Sequence, residues 1–341
     1  MLQSGFFDLQ DRFGKLDQLG DPLKALNAVV DWSVFEPILA QGKKKDKKSN
    51  AGRPSFEPLL MFKVLILQSL YNLADAQTEF QIRDRFTFLR FLGLTPESRI
   101  PDEKTIWLFR ESVKARGLHE ALFQTFTGFL EAQGFRAQRG TVIDARIVEV
   151  PKSRNTRSEN ATIKDGLRPA EWENQPAKKA QKDIEARWTQ KHGKNYYGYK
   201  NHISIDVKHK LIRGYDVTAA HVHDSQCFEQ FLGGGNSERT VYADSAYRSD
   251  DHERLLKRRR FTSRVHHRAW KDRTLTRRQQ KENRARSRIR ARVEHVFGHQ
   301  VKAMRQTVVR GIGLARIRTR IALANLAYNM SRLAQLRPSH A

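Results

Sequence analysis

Cysteine is almost missing from this chain. Cys227 is the only one in 341 residues, so no intrachain disulfide can form and packing alone must hold the fold. That usage fits a reducing compartment such as the cytoplasm. Cys227 itself reads as a small packed side chain rather than a catalytic thiol. Acidic residues are also short: 37 Asp and Glu stand against 63 Lys and Arg, leaving a net charge of +26. Long apolar runs are lacking too. The most apolar stretch, Leu59–Leu67, is short and interrupted by Lys63, so it reads as a buried helix and not as a span. Met1–Asp8 has neither a basic start nor a long apolar core and does not read as a signal peptide. No internal repeat is seen.

What is present is enough apolar material for sizeable cores, at 39% hydrophobic residues with 19 Phe. The excess positive charge is concentrated. Residues 251–320 hold 23 Lys or Arg against 5 Asp or Glu, a net of +18. A stretch of that kind suits a polyanion, and double-stranded DNA is the expected partner. Its Arg-rich part lacks a strong apolar face, which argues against a membrane.

Three parts are expected. Residues 1–49 form an N-terminal segment with a basic linker at Lys43–Lys48. Residues 50–136 form a helical domain expected to bind DNA, with helices at about 56–73, 75–92, 102–115 and 118–132. Ser55 and Asp102 are the expected N-caps and Gly93, Gly117 and Gly134 the stops. The short turn near 93–102 permits a helix-turn-helix reader. From 137 to 336 the periodicity becomes that of an α/β domain, with strands near 141–150, 199–207, 211–218, 239–244 and 260–265. Asp224 is expected to cap a helix running to about Leu232. A polar insertion spans about 152–195, and an Arg-rich helix runs from about Thr276 to Met304. Three strands, then helix, strand, helix, strand and closing helices, is the order of an RNase H-like domain with a mixed five-stranded sheet.

Three acids fall at telling places in that order. Asp144 and Asp244 each close a short apolar run, so both are expected at strand ends, and Glu294 lies on the Arg-rich helix. Two strand-end carboxylates repel unless a cation sits between them. Magnesium takes oxygen ligands and commonly binds through one or two carboxylates plus phosphate and water. Asp144, Asp244 and Glu294 are therefore the candidate metal ligands and catalytic residues, with Mg²⁺ expected and Mn²⁺ able to substitute. Arg290 lies one helical turn before Glu294, placed to orient it or to grip a phosphate. Arg286, Arg292, Lys302 and Lys200 are further candidates for phosphate contact. Trp188 and Trp270 are candidates for stacking on an unpaired base. Val293, Val296, Phe297 and Val301 form the stripe expected to dock the helix. His221 and His223 share a strand spacing that could bind zinc, but no downstream Asp-His pair completes such a site.

Taken in order, several segments resemble the DDE transposases of bacterial insertion sequences, in the fifth insertion-sequence family and its fourth-family relatives. They are Gly52-Arg-Pro54, Ile100–Trp107, Val142-Ile-Asp144, Tyr197–Ile203, Thr218–Asp224, Tyr242–Arg248 and Arg290–Glu294. The resemblance covers roughly residues 50–335. It implies that Asp144, Asp244 and Glu294 are the catalytic triad of a metal-dependent enzyme. That enzyme would bind terminal inverted repeats, cleave DNA at the element's ends and transfer the 3′-hydroxyl ends to target DNA, through phosphoryl transfer with two metal ions. Two ends must be joined, which implies a homodimer or larger assembly on DNA. The family signature around the glutamate is Tyr-x₂-Arg-x₃-Glu-x₆-Lys. Arg290 and Glu294 match it; Ser287 stands at the Tyr position, Val301 at the Lys position, and Lys302 follows one place later. The rival readings are an RNase H-like nuclease without strand transfer and a DNA-binding regulator without catalysis.

Overall fold

The computed structural model describes residues 8–41, 54–150, 153–191, 193–233, 235–270 and 274–337. The basic arm Lys43–Lys48, Gly52 and Arg53 of the Gly-Arg-Pro motif, and Gly234 lie outside them. Two compact units divide the chain: residues through Leu122 together with those from Asn329 onward, and Phe123–Tyr328. This division differs from the expected boundary near 136. It falls within a helix, Leu118–Ala132, whose Phe123 ring lies 4.8 Å edge-on from Tyr215 of the second unit.

The first unit is helical. Its elements are α1 (Asp8–Gln18), α2 (Pro22–Val29), α3 (Glu36–Ala40), α4 (Pro58–Tyr71), α5 (Asp75–Asp84), α6 (Phe86–Leu92) and α7 (Glu103–Ala115). Helix α4 is apolar around its circumference because both sides are buried, from Met61 through Ser69. Its N-cap is Glu57, with no side-chain bond, in place of the expected Ser55. The single helix expected over 75–92 is two, because Arg85 takes an extended conformation at φ −105°. Asp102 caps α7 as expected, accepting from the Thr105 amide at 2.6 Å. Inside the unit, Arg110 donates to Asp75 and Gln68, a paired guanidinium that ties α7 to α4 and α5. Among the described residues, no single helix is long and apolar enough to cross a membrane.

In the second unit, α8 (Leu118–Ala132) leads to β1 (Thr141–Glu149), α9 (Arg157–Lys164), α10 (Pro176–Gln181), β2 (Arg187–Lys191), β3 (Lys194–Asp206) and β4 (Ile212–Ala219). Then follow β5 (Thr240–Tyr242), α11 (Asp250–Arg258), β6 (Thr262–Ser263), α12 (Arg277–Lys302) and α13 (Leu314–Leu336), whose residues from Asn329 belong to the first unit. The sheet runs β2-β3-β1-β5-β6, with β4 also on β3. Strand β3 is antiparallel to β1, β2 and β4, while β1, β5 and β6 are parallel. Setting β2 aside, the order β4-β3-β1-β5-β6 with one antiparallel central neighbour is the RNase H-like arrangement. The five strands expected become six, because the insertion supplies β2 against the early half of β3.

Two glycines let the strands meet. A Cβ on Gly140 would lie 2.8 Å from the Thr240 carbonyl, where β1 and β5 approach, and its φ of +94° is costly for any other residue. Asn236 pins that point by accepting from the Gly140 amide and donating to its carbonyl. A Cβ on Gly198 would lie 2.3 Å from the Val148 carbonyl, at the end of the β1–β3 pairing. One core contains Ile143, Phe228, Val241, Tyr247 and Leu256. Another contains Val148, Tyr197, Tyr199, Val217 and Ile321. By the two-residue period of β1, Ile143 and Val148 point to opposite faces, so both faces of the sheet are covered.

The segment after β4 is two 3₁₀ turns, Asp224–Cys227 and Glu229–Phe231, in place of the expected helix. His223 caps the first, and Asp224 is instead ion-paired with Lys200 at 2.7 Å. Cys227 is buried, and burial, followed by the nearby Asp216, pushes its thiol up to about 12. That thiol stays protonated and packs, as expected for a structural cysteine.

Candidate active site

Asp144 sits inside β1 and not at its end, because the strand continues five residues further to Glu149. The parallel register Thr141↔Val241 and Val142↔Tyr242 carries forward to place residue 244 level with residue 144. Strand β5 ends at Tyr242, and Asp244 caps the 3₁₀ turn Ser245–Tyr247, accepting from the Ala246 amide at 2.8 Å. The two carboxylates are thus neighbours across adjacent strands. Asp144 is buried, and burial pushes its pKa from 3.8 up to about 6. Arg290 and the Ala145 amide oppose that shift, and the Asp244 charge adds to it.

Glu294 reaches the site on α12, which packs on β1 and β5. Val293 and Val296 are fully buried, and Phe297 and Val301 are half-buried, so the expected stripe does dock the helix. Its rotation is set by a polar lock: Gln300 and Asn201 both donate to the Asn325 side-chain oxygen, tying α12 and β3 to α13. Thr276 and Gln279 form a capping box at its start.

Arg290 stands between the acids. Its Nη1 donates to Asp144 Oδ2 at 2.8 Å and its Nη2 to Glu294 Oε1 at 2.6 Å. A guanidinium therefore holds the place where two of the three carboxylates would share a cation. Glu294 keeps 57% of its side chain exposed. Among the described residues, no three His, Cys, Asp or Glu side chains stand close enough to hold a metal together. The donors that are present still suit a hard divalent cation. Asp144 and Asp244 offer only oxygens, the donors that such a cation takes.

Other expected residues are placed unevenly. Arg286 is buried, bonded to the Val265 carbonyl at 2.6 Å and to Glu282 at 3.0 Å. Arg292 donates to the Val207 carbonyl at 2.6 Å. Lys200 is bonded to the Val222 carbonyl and to Asp224. These three cations have partners inside the protein, whereas Lys302 is exposed. Trp270 is 62% exposed with the Arg268 guanidinium 4.9 Å over its ring. Trp188 is half-buried and donates to the Asn155 carbonyl. Ser287, at the signature's Tyr position, lies 3.4 Å from His266.

Sequence reasoning missed three things. His266 pairs its amide with the Ala243 carbonyl, and its pKa is lowered by burial and then by Arg290. Tyr247 is fully buried beside both aspartates, and its hydroxyl has no hydrogen-bond partner. His266 carries no motif of its own, and Tyr247 lies in the Tyr242–Arg248 segment without having been given a role. The third was legible: Arg277, Lys281, Arg284 and Arg288 are exposed and have no ion-pair partner among the described residues, at spacings of four, three and four along α12. That spacing puts them on one face.

Comparisons with known proteins identify the family of the chain. The family model "Transposase DDE domain" matches residues 136–330, and the model "Transposase domain (DUF772)" matches residues 11–112. The chain belongs to the DDE transposase family typical of bacterial insertion sequences. A solved structure described as "Cryo-EM structure of piggyBac transposase synaptic complex with hairpin DNA" has a TM-score of 0.43 at 11% identity, over 92% of this chain and 73% of that one. That likeness is too distant to bear on the fold.

Proposed function

We propose that this transposase binds the terminal inverted repeats of an insertion sequence, cleaves DNA at its ends and joins the freed 3′-hydroxyl ends to target DNA. The observation that supports it most is Asp144 beside Asp244, which lies just past the end of the parallel strand β5, with Glu294 of α12 joined to Asp144 through Arg290. Asp144 and Asp244 would hold Mg²⁺, or Mn²⁺ in its place. A divalent cation at such a site supplies charge neutralisation for in-line phosphoryl transfer. Arg290 neutralises Asp144 and Glu294 in this state. It has to release at least one of them before all three acids can face a shared cation, and its freed fork then suits a phosphate. The stripe Arg277, Lys281, Arg284 and Arg288 gives sequence-independent backbone contact, and Lys302 extends the exposed charge of the same helix. The helical unit contributes to recognition of the repeats. Two ends are handled together, so the working assembly is at least a dimer on double-stranded DNA, in the bacterial cytoplasm.

The test uses the purified full chain, Mg²⁺, a duplex carrying the repeats that flank its gene, and a target plasmid. End cleavage followed by joining to the plasmid is expected, with both lost in Asp144→Asn and Asp244→Asn while DNA binding persists. Cleavage without joining, when a pre-cleaved end is supplied, would identify a nuclease. Binding without any cleavage would identify a regulator.

A further inference from the structure

Strand β6 brings a further residue to the level of the acids. The parallel register Thr240↔Thr262 and Val241↔Ser263 carries forward to set His266 beside Asp244, as the β1–β5 register sets Asp244 beside Asp144. The pairing persists past the ends of both strands. The Arg264 amide donates to the Val241 carbonyl at 2.8 Å, and the His266 amide to the Ala243 carbonyl at 3.0 Å. Residues level on adjacent parallel strands share a face. Val241, Ala243 and Val265 pack with Ile143 in the core on one face. By alternation, Asp144, Asp244 and His266 turn to the other, which α12 covers. Asp244 is the middle member of that row.

Helix α12 carries a facing row. Ser287, Arg290 and Glu294 stand three and four residues apart, on one side of the helix. Arg290 bonds Asp144, and Ser287 Oγ lies 3.4 Å from His266 Nε2. Arg286 holds the Val265 carbonyl, next to the histidine. At Ser287 the helix has a small side chain where the family signature has a tyrosine, and the ring against this position comes from the sheet instead. His266 is half-buried, so the ring is held and yet reachable.

The charges around His266 suit an anion. Burial lowers its pKa first and Arg290 next, with Arg286 and His267 adding and Asp244 opposing. The imidazole is therefore neutral at pH 7.5 and keeps one N–H to donate. A phosphate drawn to a cation at Asp144 and Asp244 has further oxygens to satisfy. On the side of Asp244 away from Asp144, the groups that could donate without adding charge are His266 and Ser287. Arg286 is already bonded to Val265 and Glu282.

We infer that His266, its ring set beside Ser287, donates a hydrogen bond to a non-bridging oxygen of the DNA phosphate handled at Asp144 and Asp244. The assignment rests on the transposase reading, which supplies that phosphate, and it adds a substrate-contacting residue outside the three acids.

The test reads binding, so that it does not depend on cleavage. The full chain is titrated with the duplex carrying the repeats that flank its gene. Ca²⁺, larger and less strictly octahedral than Mg²⁺, is used to hold cleavage back. A second pair of duplexes carries one methylphosphonate at the outer boundary of the repeat, as separate diastereomers. Each replaces one non-bridging oxygen by an uncharged methyl group. For one diastereomer, the substitution is expected to cost the wild type about tenfold more affinity than it costs His266→Ala. His266→Phe keeps a ring without the N–H and is expected to behave as His266→Ala, which separates the donor from the bulk. His266→Gln keeps an N–H and is expected to recover most of the difference. Melting temperatures are recorded for all three. Equal costs in the wild type and in His266→Phe, for both diastereomers, would overturn the inference while leaving the transposase reading standing. The tenfold difference alongside absent end cleavage by the wild type in Mg²⁺ would do the reverse.

Discussion

Two buried acids in the second unit contrast sharply. Glu159 in the insertion accepts from the Thr156 amide, the Trp172 indole and Lys182. Burial alone would push its pKa up, but those donors outweigh it and hold it down to about 2. Asp144 in the sheet has fewer donors, and burial, opposed by Arg290 and the Ala145 amide and aided by Asp244, raises its pKa to about 6. The same side-chain chemistry serves opposite ends. A carboxylate surrounded by its own donors is finished, and stabilises the fold. One left with a like-charged neighbour and an exchangeable guanidinium is held ready for a partner the fold does not supply.

The strongest way to break that contrast is to neutralise each acid. Asp144→Asn is expected to lower end cleavage by about a thousandfold or more, because a site carrying several kcal/mol of charge stabilisation loses a ligand. It should be no less stable than wild type at pH 7.5, since a raised carboxyl pKa costs stability once pH exceeds it. Cleavage kinetics and chemical denaturation read the two effects. A destabilised Asp144→Asn protein would place that residue with Glu159.

Glu159→Gln is expected to do the opposite, costing on the order of 2 kcal/mol at neutral pH. A depressed carboxyl pKa stabilises above its unfolded value of 4.5 and loses that stabilisation as pH falls towards about 2. The gap between wild type and Glu159→Gln in melting temperature should therefore close between those pH values. A gap independent of pH would show that the charge of Glu159 is not what holds the insertion.

The smallest effect sharpens the same contrast among cations. Arg284→Ala with Arg288→Ala removes two exposed charges, and the slope of log affinity for duplex DNA against log salt should fall by about 1.8. Arg286→Ala, between them in sequence but bonded to Val265 and Glu282, should lower stability and leave that slope unchanged. Equal effects on the slope would remove the distinction between the stripe and the docking face.

Much of this was legible in the residues. The order of most elements, the capping of α7, the start of α12, the apolar α4 and the docking valines follow from local periodicity and caps, because those signals act within a few residues. The division of the basic helix was half legible. The spacing of Arg277, Lys281, Arg284 and Arg288 marks a face, but nothing local shows that Arg286 is buried or that Arg292 meets Val207. The expected helix after Asp224 became 3₁₀ turns, since the Lys200 ion pair on β3 removes the cap, and that pair spans a tertiary distance. Likewise, β2 was not expected because the insertion lacks a strong alternating pattern and acquires strand structure only against β3.

The sequence by itself determined the chemistry available: which residues are acids, where the excess charge lies, and that the chain folds as helices followed by an α/β domain. Only the tertiary structure decided how those groups meet. It set Asp144 within its strand, level with Asp244, and placed Arg290 between Asp144 and Glu294. The reason is that electrostatic energies depend on distance and burial. Neither is encoded locally for residues 100 to 150 positions apart, and both appear only when the sheet brings them together.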